Sequence, residues 1–74
     1  MRIMTPLLAV VLWIGTVDQI EGETVVAEVT ASDNEIRHIE MSTLMFPCKI
    51  REQGMFYFAY TDGVTEIRCG EPPE

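Results

Sequence analysis

The sequence predicts a small all-β domain in which five short antiparallel strands roll into a barrel of the SH3-like or OB-like kind. Two observations carry this prediction. Asp62-Gly63 separates two runs of aromatic and β-branched residues, which is the strongest short-range signal for a hairpin. Further runs of alternating apolar and polar residues precede that hairpin, with turn-forming residues between them. Closing such a sheet would also remove its exposed edges.

The hairpin at Asp62-Gly63 predicts a register for its two strands. A two-residue type I′ turn needs positive φ at both central positions, so counting outward pairs Tyr57 with Arg68. One face of the hairpin is then apolar and is predicted to be core: Phe56, Phe58, Tyr60, Ile67 and Cys69. The other face carries Met55, Tyr57, Ala59, Glu66 and Arg68.

The amino-terminal residues admit three interpretations: a first strand with an apolar lead-in, a signal or membrane segment, or an upstream extension that is not part of the fold. Arg2 precedes an apolar run, which is typical of a signal peptide or of a short anchor over residues 7–14. However, no Ala-x-Ala-like cleavage site follows, and the uncharged stretch is shorter than the roughly 20 residues that cross a bilayer. Val10, Val11, Trp13 and Ile14 instead suit a strand. We therefore predict a domain over residues 10–70, preceded by an apolar or signal-like segment, residues 1–9.

Three strands are expected before the hairpin. Gly15 stands where a bulge or a sharp bend would let the first strand curl, and Val25, Ala27 and Val29 alternate with outward residues in the second. The predicted strands are 12–20, 24–30 and 35–41, and the turns between them are Glu21-Gly22 and Ala31–Asn34.

The segment from Ser42 to Gly54 interrupts the strand pattern. It is predicted to make one short helical turn before Pro47 and to plug an open end of the barrel, with Leu44 and Phe46 entering the core. Residues 71–74 contain two prolines and no large apolar side chain, so an extended, flexible acidic tail is expected there.

Composition narrows the functions that the chain can serve. Seventy-four residues make one domain at most. The net charge of −7 disfavours binding to a nucleic-acid backbone, which requires a basic face.

Cys48 and Cys69 make no C-x-x-C motif, and the lone His38 completes no usual zinc spacing, so neither a metal nor a cofactor is expected. Cys48 and Cys69 are either a disulfide in an exported protein or two buried thiols in an intracellular one.

The stretch Gly15-Thr-Val-Asp-Gln-Ile-Glu-Gly-Glu-Thr-Val-Val-Ala-Glu-Val29 resembles the opening of a family of small, uncharacterised bacterial β-barrel proteins, in which Asp-Arg-Ile-Glu-Gly-Asp leads into a Val-rich strand. Arg51–Met55 is similar to that family's next connection, where glycine is expected in place of Gln53. The whole chain also resembles small proteins of marine bacterial viruses. The apolar amino-terminal extension and the two cysteines depart from the family. The resemblance implies a barrel fold and a bacteriophage origin, with no assigned activity.

No catalytic constellation emerges from the sequence. His38 has Ser32, Ser42 and the two cysteines as conceivable nucleophile partners, but an outward strand position predicts an exposed surface histidine. Two pairs of glutamates, Glu35 with Glu40 and Glu21 with Glu23, could serve in acid-base chemistry only if a cleft raised the pKa of one carboxyl group in the pair. The sequence therefore predicts a protein that is not an enzyme.

The leading hypothesis is a small acidic protein-interaction module that is carried by a phage, resides in the host cytoplasm and binds a host or virion protein. Its interaction face is predicted at Tyr57, Glu66 and Arg68, because an exposed tyrosine beside an arginine is typical of an interface.

A second hypothesis is an exported or membrane-tethered structural protein with a Cys48–Cys69 disulfide. A third is an OB-like binder of single-stranded nucleic acid, suggested by the aromatic residues and opposed by the scarcity of basic ones.

Overall fold

The computed structural model describes residues 10–31 and 33–72 and contains five antiparallel strands in a single sheet. In this part of the chain the one helical element is a single 3₁₀ turn, so the all-β prediction is confirmed. The sheet has the strand order β3-β2-β1-β4-β5. Its elements are β1 (Val10–Glu21), β2 (Thr24–Ala31), β3 (Ile36–Ser42), the 3₁₀ turn (Thr43–Met45), β4 (Met55–Thr61) and β5 (Val64–Cys69).

The sheet is open, so the predicted closed barrel is not what the described residues form. Strands β3 and β5 lie at opposite ends of the strand order, and neither pairs with the other. Each edge strand carries charged side chains, Arg37 and Glu40 on β3 and Glu66 and Arg68 on β5. Charges on an edge oppose pairing with another chain, which allows these edges to stay unpaired.

The register predicted for the last hairpin is confirmed. Tyr57 pairs with Arg68, and Thr61 with Val64 immediately flanks the turn. Asp62 and Gly63 have φ values of 48° and 82°, the left-handed values that a type I′ turn requires at both central positions. The turn between β1 and β2 lies one residue later than the predicted Glu21-Gly22. Glu21 pairs with Thr24, so the two turn residues are Gly22 and Glu23.

Strand β1 is the centre of the sheet, because it pairs with β2 along one side and with β4 along the other. Register shifts occur at Leu12 against β4 and at Asp18 against β2. The prediction of a bulge or bend at Gly15 is wrong, since Gly15 pairs regularly with Val29 and with Phe56. Glycine is required there for a different reason: a Cβ on Gly15 would overlap the ring of Phe56.

One face of the sheet carries the hydrophobic core, and the segment after β3 covers it. Phe46 is buried and packs edge-on against Phe56, with 5.1 Å between ring centroids. Leu44 was expected in the core as well, but it is 83% exposed. A 3₁₀ turn has three residues per revolution, so residues two apart point in different directions. The buried core residues are Val17, Val25, Ala27, Val29, Phe46 and Phe56.

Val10–Ile14 lie within β1, which agrees with the strand interpretation of these residues. The proposed anchor over residues 7–14 thus overlaps the sheet from Val10 onward. The predicted leading segment, residues 1–9, lies outside the described residues, as do the last two residues of the predicted tail. Tyr60 was predicted in the core, but it is exposed beside the turn. Ile67 does pack against the core, as predicted.

A tight turn precedes β4 and contains a strained residue. The Gly54 amide donates to the Arg51 carbonyl over 3.0 Å, and Gln53 has a φ of 70°. The turn is held against the core strand, because the Gln53 amide donates to the Val17 carbonyl and the Val17 amide donates to the Gly54 carbonyl. Gln53 is the position at which glycine was expected, and glycine is the residue that adopts this backbone conformation without steric cost.

Replacing Gln53 with glycine is expected to stabilise the protein by about 0.5–1 kcal/mol. The left-handed conformation costs a residue with a Cβ about 1–2 kcal/mol, and the added freedom of glycine in the unfolded chain offsets about 0.5–1 kcal/mol of that gain. Urea unfolding measures the change. The control is Gln53→Ala, which keeps the Cβ and should leave the urea midpoint nearly unchanged. Equal midpoints for the glycine and alanine variants would contradict the assignment of strain.

Candidate functional site

The candidate site lies on the face of the sheet opposite the core, where β1, β4 and β5 run side by side. Ile14 pairs with Tyr57, and Tyr57 pairs with Arg68, so these three side chains form one row across the strands. Met55 and Glu66 lie on the same face in the neighbouring rows. We call this set the outer patch: Ile14, Met55, Tyr57, Glu66 and Arg68.

Tyr57 is not the exposed residue that the sequence analysis predicted. It is only 7% exposed. The hairpin register alone gives Tyr57 one cross-strand neighbour, Arg68, whereas in the sheet β1 adds Ile14 on the other side. A side chain between two long neighbours in a central strand loses most of its contact with water, so the tyrosine supports the patch from below and its neighbours form the surface.

Arg68 and Glu66 form the polar part of the outer patch. Nη2 and Nε of Arg68 both donate to Oε1 of Glu66, at 2.7 and 3.2 Å. The pKa of the Arg68 guanidinium is raised above its ordinary value, first by the hydrogen bond to Glu66 and then by the phenol oxygen of Tyr57. The two hydrogen bonds to Glu66 orient the guanidinium on this face of β5. Both side chains of the pair stay accessible, at 41% and 53% exposure.

Exposed apolar side chains lie on the same face of the sheet as this ion pair. Ile14 is 38% exposed, and Met55 and Leu12 are exposed to a similar degree. Methionine and arginine, here Met55 and Arg68, are among the residue types that are enriched at protein interfaces. The arrangement can bind a protein surface, since the apolar groups gain from burial and the guanidinium provides directed hydrogen bonds.

The two cysteines of the chain form a disulfide in the structure. Cys48 follows the 3₁₀ turn and Cys69 ends β5, with 6.5 Å between their Cα atoms. The bond joins the segment that covers the core to the edge strand of the last hairpin. Beside it lies a cavity of about 270 Å³, whose lining includes Val17, Lys49 and Arg51.

The structure separates the residues considered for catalysis. Both thiols are in the disulfide, and the Ser42 hydroxyl accepts a hydrogen bond from the Leu44 amide as the cap of the 3₁₀ turn. Glu35 binds Arg37 in an ion pair. His38 is exposed on β3, as predicted, and its Nε2 lies 3.4 Å from Oε2 of Glu28. Ser32 lies outside the described residues.

One group of side chains was missed in the sequence. Asp18, Glu28 and His38 come from three adjacent strands, and each offers one donor atom within 4.8 Å of the others. Their separation in the sequence hides them, because the grouping depends on the pairing of β2 with both β1 and β3. The alternation of β2 and β3 does place Glu28 and His38 on outward positions, but only the register shows that they face each other.

No family model, curated protein or solved structure matches this chain. The part of the chain that the structure describes contains no helix that is long and apolar enough to cross a membrane.

Proposed function

We propose that this protein is a non-enzymatic protein-binding module whose contact surface is the outer patch. The observation that carries the proposal is the combination, on one face, of exposed apolar side chains with an arginine that its neighbours hold in place. Isolated exposed apolar residues are ordinary on protein surfaces. Here Ile14 and Met55 instead share one face of the sheet with a charged group that is already oriented, which lowers the entropic cost of using that group in an interface.

The partner surface should present an acidic group to Arg68 near its centre, with apolar groups around it. Arg68 has donor groups beyond those engaged by Glu66, and a guanidinium binds carboxylates in a bidentate manner. The net charge of −7 would also favour approach to a partner that is basic elsewhere. Charge of this kind affects mainly the rate and the specificity of association.

We propose that the module works outside the reducing cytoplasm. The Cys48–Cys69 disulfide supports this location, because such bonds persist in oxidising compartments and are rare where thiols are kept reduced. The exported alternative is therefore favoured over the cytoplasmic location expected from the sequence.

We also propose that the open sheet is a roll of the OB-like kind. The long strand β1 is shared by two hairpins, β2 with β3 and β4 with β5, and Phe46 covers the core between them. Folds of the OB type are five-stranded and only partly closed, so an open sheet with this arrangement is consistent with that class.

Replacing Arg68 with alanine is expected to weaken partner binding at least tenfold while the protein stays folded. Arginine anchors at the centre of an interface commonly carry a large share of the binding free energy, and an exposed ion pair contributes little to folding. The measurement is affinity capture of the partner by wild type and variant, followed by a titration of the captured protein.

The matched control is Arg37→Ala. Arg37 also forms an exposed ion pair with a glutamate two residues away, Glu35, but it lies on the edge strand β3 at the other end of the sheet. Its removal should leave capture unchanged. Equal losses in the two variants would indicate a general effect of charge, and undiminished capture by Arg68→Ala would remove the outer patch as the binding surface.

A further inference from the structure

We propose that Asp18, Glu28 and His38 form a binding site for a divalent transition-metal ion of the zinc type. The three side chains lie on the same face as the outer patch but at the other side of the sheet, on β1, β2 and β3. This site is independent of the proposed protein-binding function, and neither proposal depends on the other.

The register of the strands brings the donors together. Glu28 and His38 are directly paired across β2 and β3. Asp18 lies at the register shift between β1 and β2, where one additional residue of β1 is left without a partner. Such irregularities redirect side chains, and they are over-represented beside functional sites. Here Asp18 and the next residue, Gln19, are both exposed, and Asp18 reaches the row of Glu28 and His38.

The spacing and the chemistry of the donors fit a metal ion. Zinc binds imidazole nitrogen and carboxylate oxygen at about 2.0–2.2 Å, which places two donors of a tetrahedral site about 3.4 Å apart. The distance between His38 Nε2 and Glu28 Oε2 is 3.4 Å. The Asp18 donor lies within 4.8 Å of the other two, and Asp18 and His38 are exposed, so their side chains have room to change rotamer. An imidazole among the donors favours zinc-like ions over magnesium or calcium.

The surroundings also favour a cation. Within the described residues, no lysine or arginine forms a salt bridge with Asp18 or Glu28, and the ion partner of Glu28 is His38 itself. Glu21 and Glu40 line the adjacent depression together with His38 and add negative potential. Three protein donors would leave at least one coordination position open to water or to a further ligand.

Titration of the tag-free, disulfide-bonded protein with Zn²⁺ tests the proposal. We expect one ion per chain by calorimetry, and a shift of the Nε2 resonance of His38, which is the only histidine in the chain. His38→Ala should weaken binding at least tenfold, and Asp18→Asn should weaken it to a similar extent. Because both cysteines are in the disulfide, no thiol competes for the metal.

Glu40→Gln is the matched control, because it removes one negative charge from the same face of β3 without removing a donor. It should change the affinity by less than twofold. Mg²⁺ at the same concentration should not shift the His38 resonance. The proposal would be overturned by an unshifted His38 resonance at saturating Zn²⁺, or by equal losses in Glu40→Gln and His38→Ala, which would indicate non-specific attraction to an acidic surface.

Discussion

Replacing Gly15 with alanine is expected to destabilise the protein by about 3 kcal/mol, the upper end of the range for overpacking a core. Gly15 lies in β1 between Val29 and Phe56, and the Phe56 ring occupies the space where a Cβ would be. Phe46 and Phe58 pack against that ring, with 5.1 and 5.9 Å between ring centroids, and restrict its movement. Urea unfolding monitored by the fluorescence of Trp13 measures the loss.

A double-mutant cycle separates this steric effect from the general cost of altering a strand. Phe56→Leu alone should destabilise the protein by leaving a cavity, but it also clears the space above Gly15. The combined Gly15→Ala/Phe56→Leu variant should therefore be more stable than the sum of the single effects predicts, by at least 1 kcal/mol. Strict additivity of the two substitutions would show that the contact between the ring and the backbone does not explain the glycine.

Opening the disulfide is expected to lower the free energy of unfolding by about 3 kcal/mol. Cys48 and Cys69 are 21 residues apart, and a cross-link that closes a loop of this length removes a corresponding amount of conformational entropy from the unfolded chain. The effect is large for a chain of 74 residues, whose core is small. The bond also holds the segment that carries Phe46 against the last hairpin. The measurement compares the urea midpoints of the oxidised protein and of the reduced, alkylated protein.

The control is the double variant Cys48→Ala/Cys69→Ala. It should unfold at nearly the same urea concentration with or without a reducing agent, and near the midpoint of the reduced wild type. If reduction leaves the wild-type midpoint unchanged, the disulfide makes no contribution to the stability of the fold.

Local chemistry made the last hairpin predictable. Asp62-Gly63 dictates a turn with two left-handed residues, and the turn then fixes the pairing of every residue on either side of it. The expectation of glycine at Gln53 came instead from the resemblance to the family of small β-barrel proteins, and the φ of 70° at Gln53 agrees with it. Phe46 was correctly placed in the core because it is a large apolar residue next to the chain-breaking Pro47 in a segment that had to cover an apolar sheet face.

Features that depend on distant strands could not be read from the sequence. The burial of Tyr57 follows from the pairing of β1 with β4, and the grouping of Asp18, Glu28 and His38 follows from the register of three strands. Whether a five-stranded sheet closes depends on its total twist and shear, which local patterns do not specify. Leu44 failed as a core residue for a simpler reason, the direction imposed by a tight helical turn.

The claim that the outer patch binds a protein is tested most directly by site-specific photo-crosslinking in the producing cells. A benzophenone amino acid is placed at Glu66 in one variant and at Glu35 in another, two glutamates with similar exposure that each pair with an arginine two residues away. We predict a discrete crosslinked adduct from position 66 that is absent from position 35 and is lost on adding Arg68→Ala. Adducts of equal yield from both positions, or none from position 66, would contradict the proposed function.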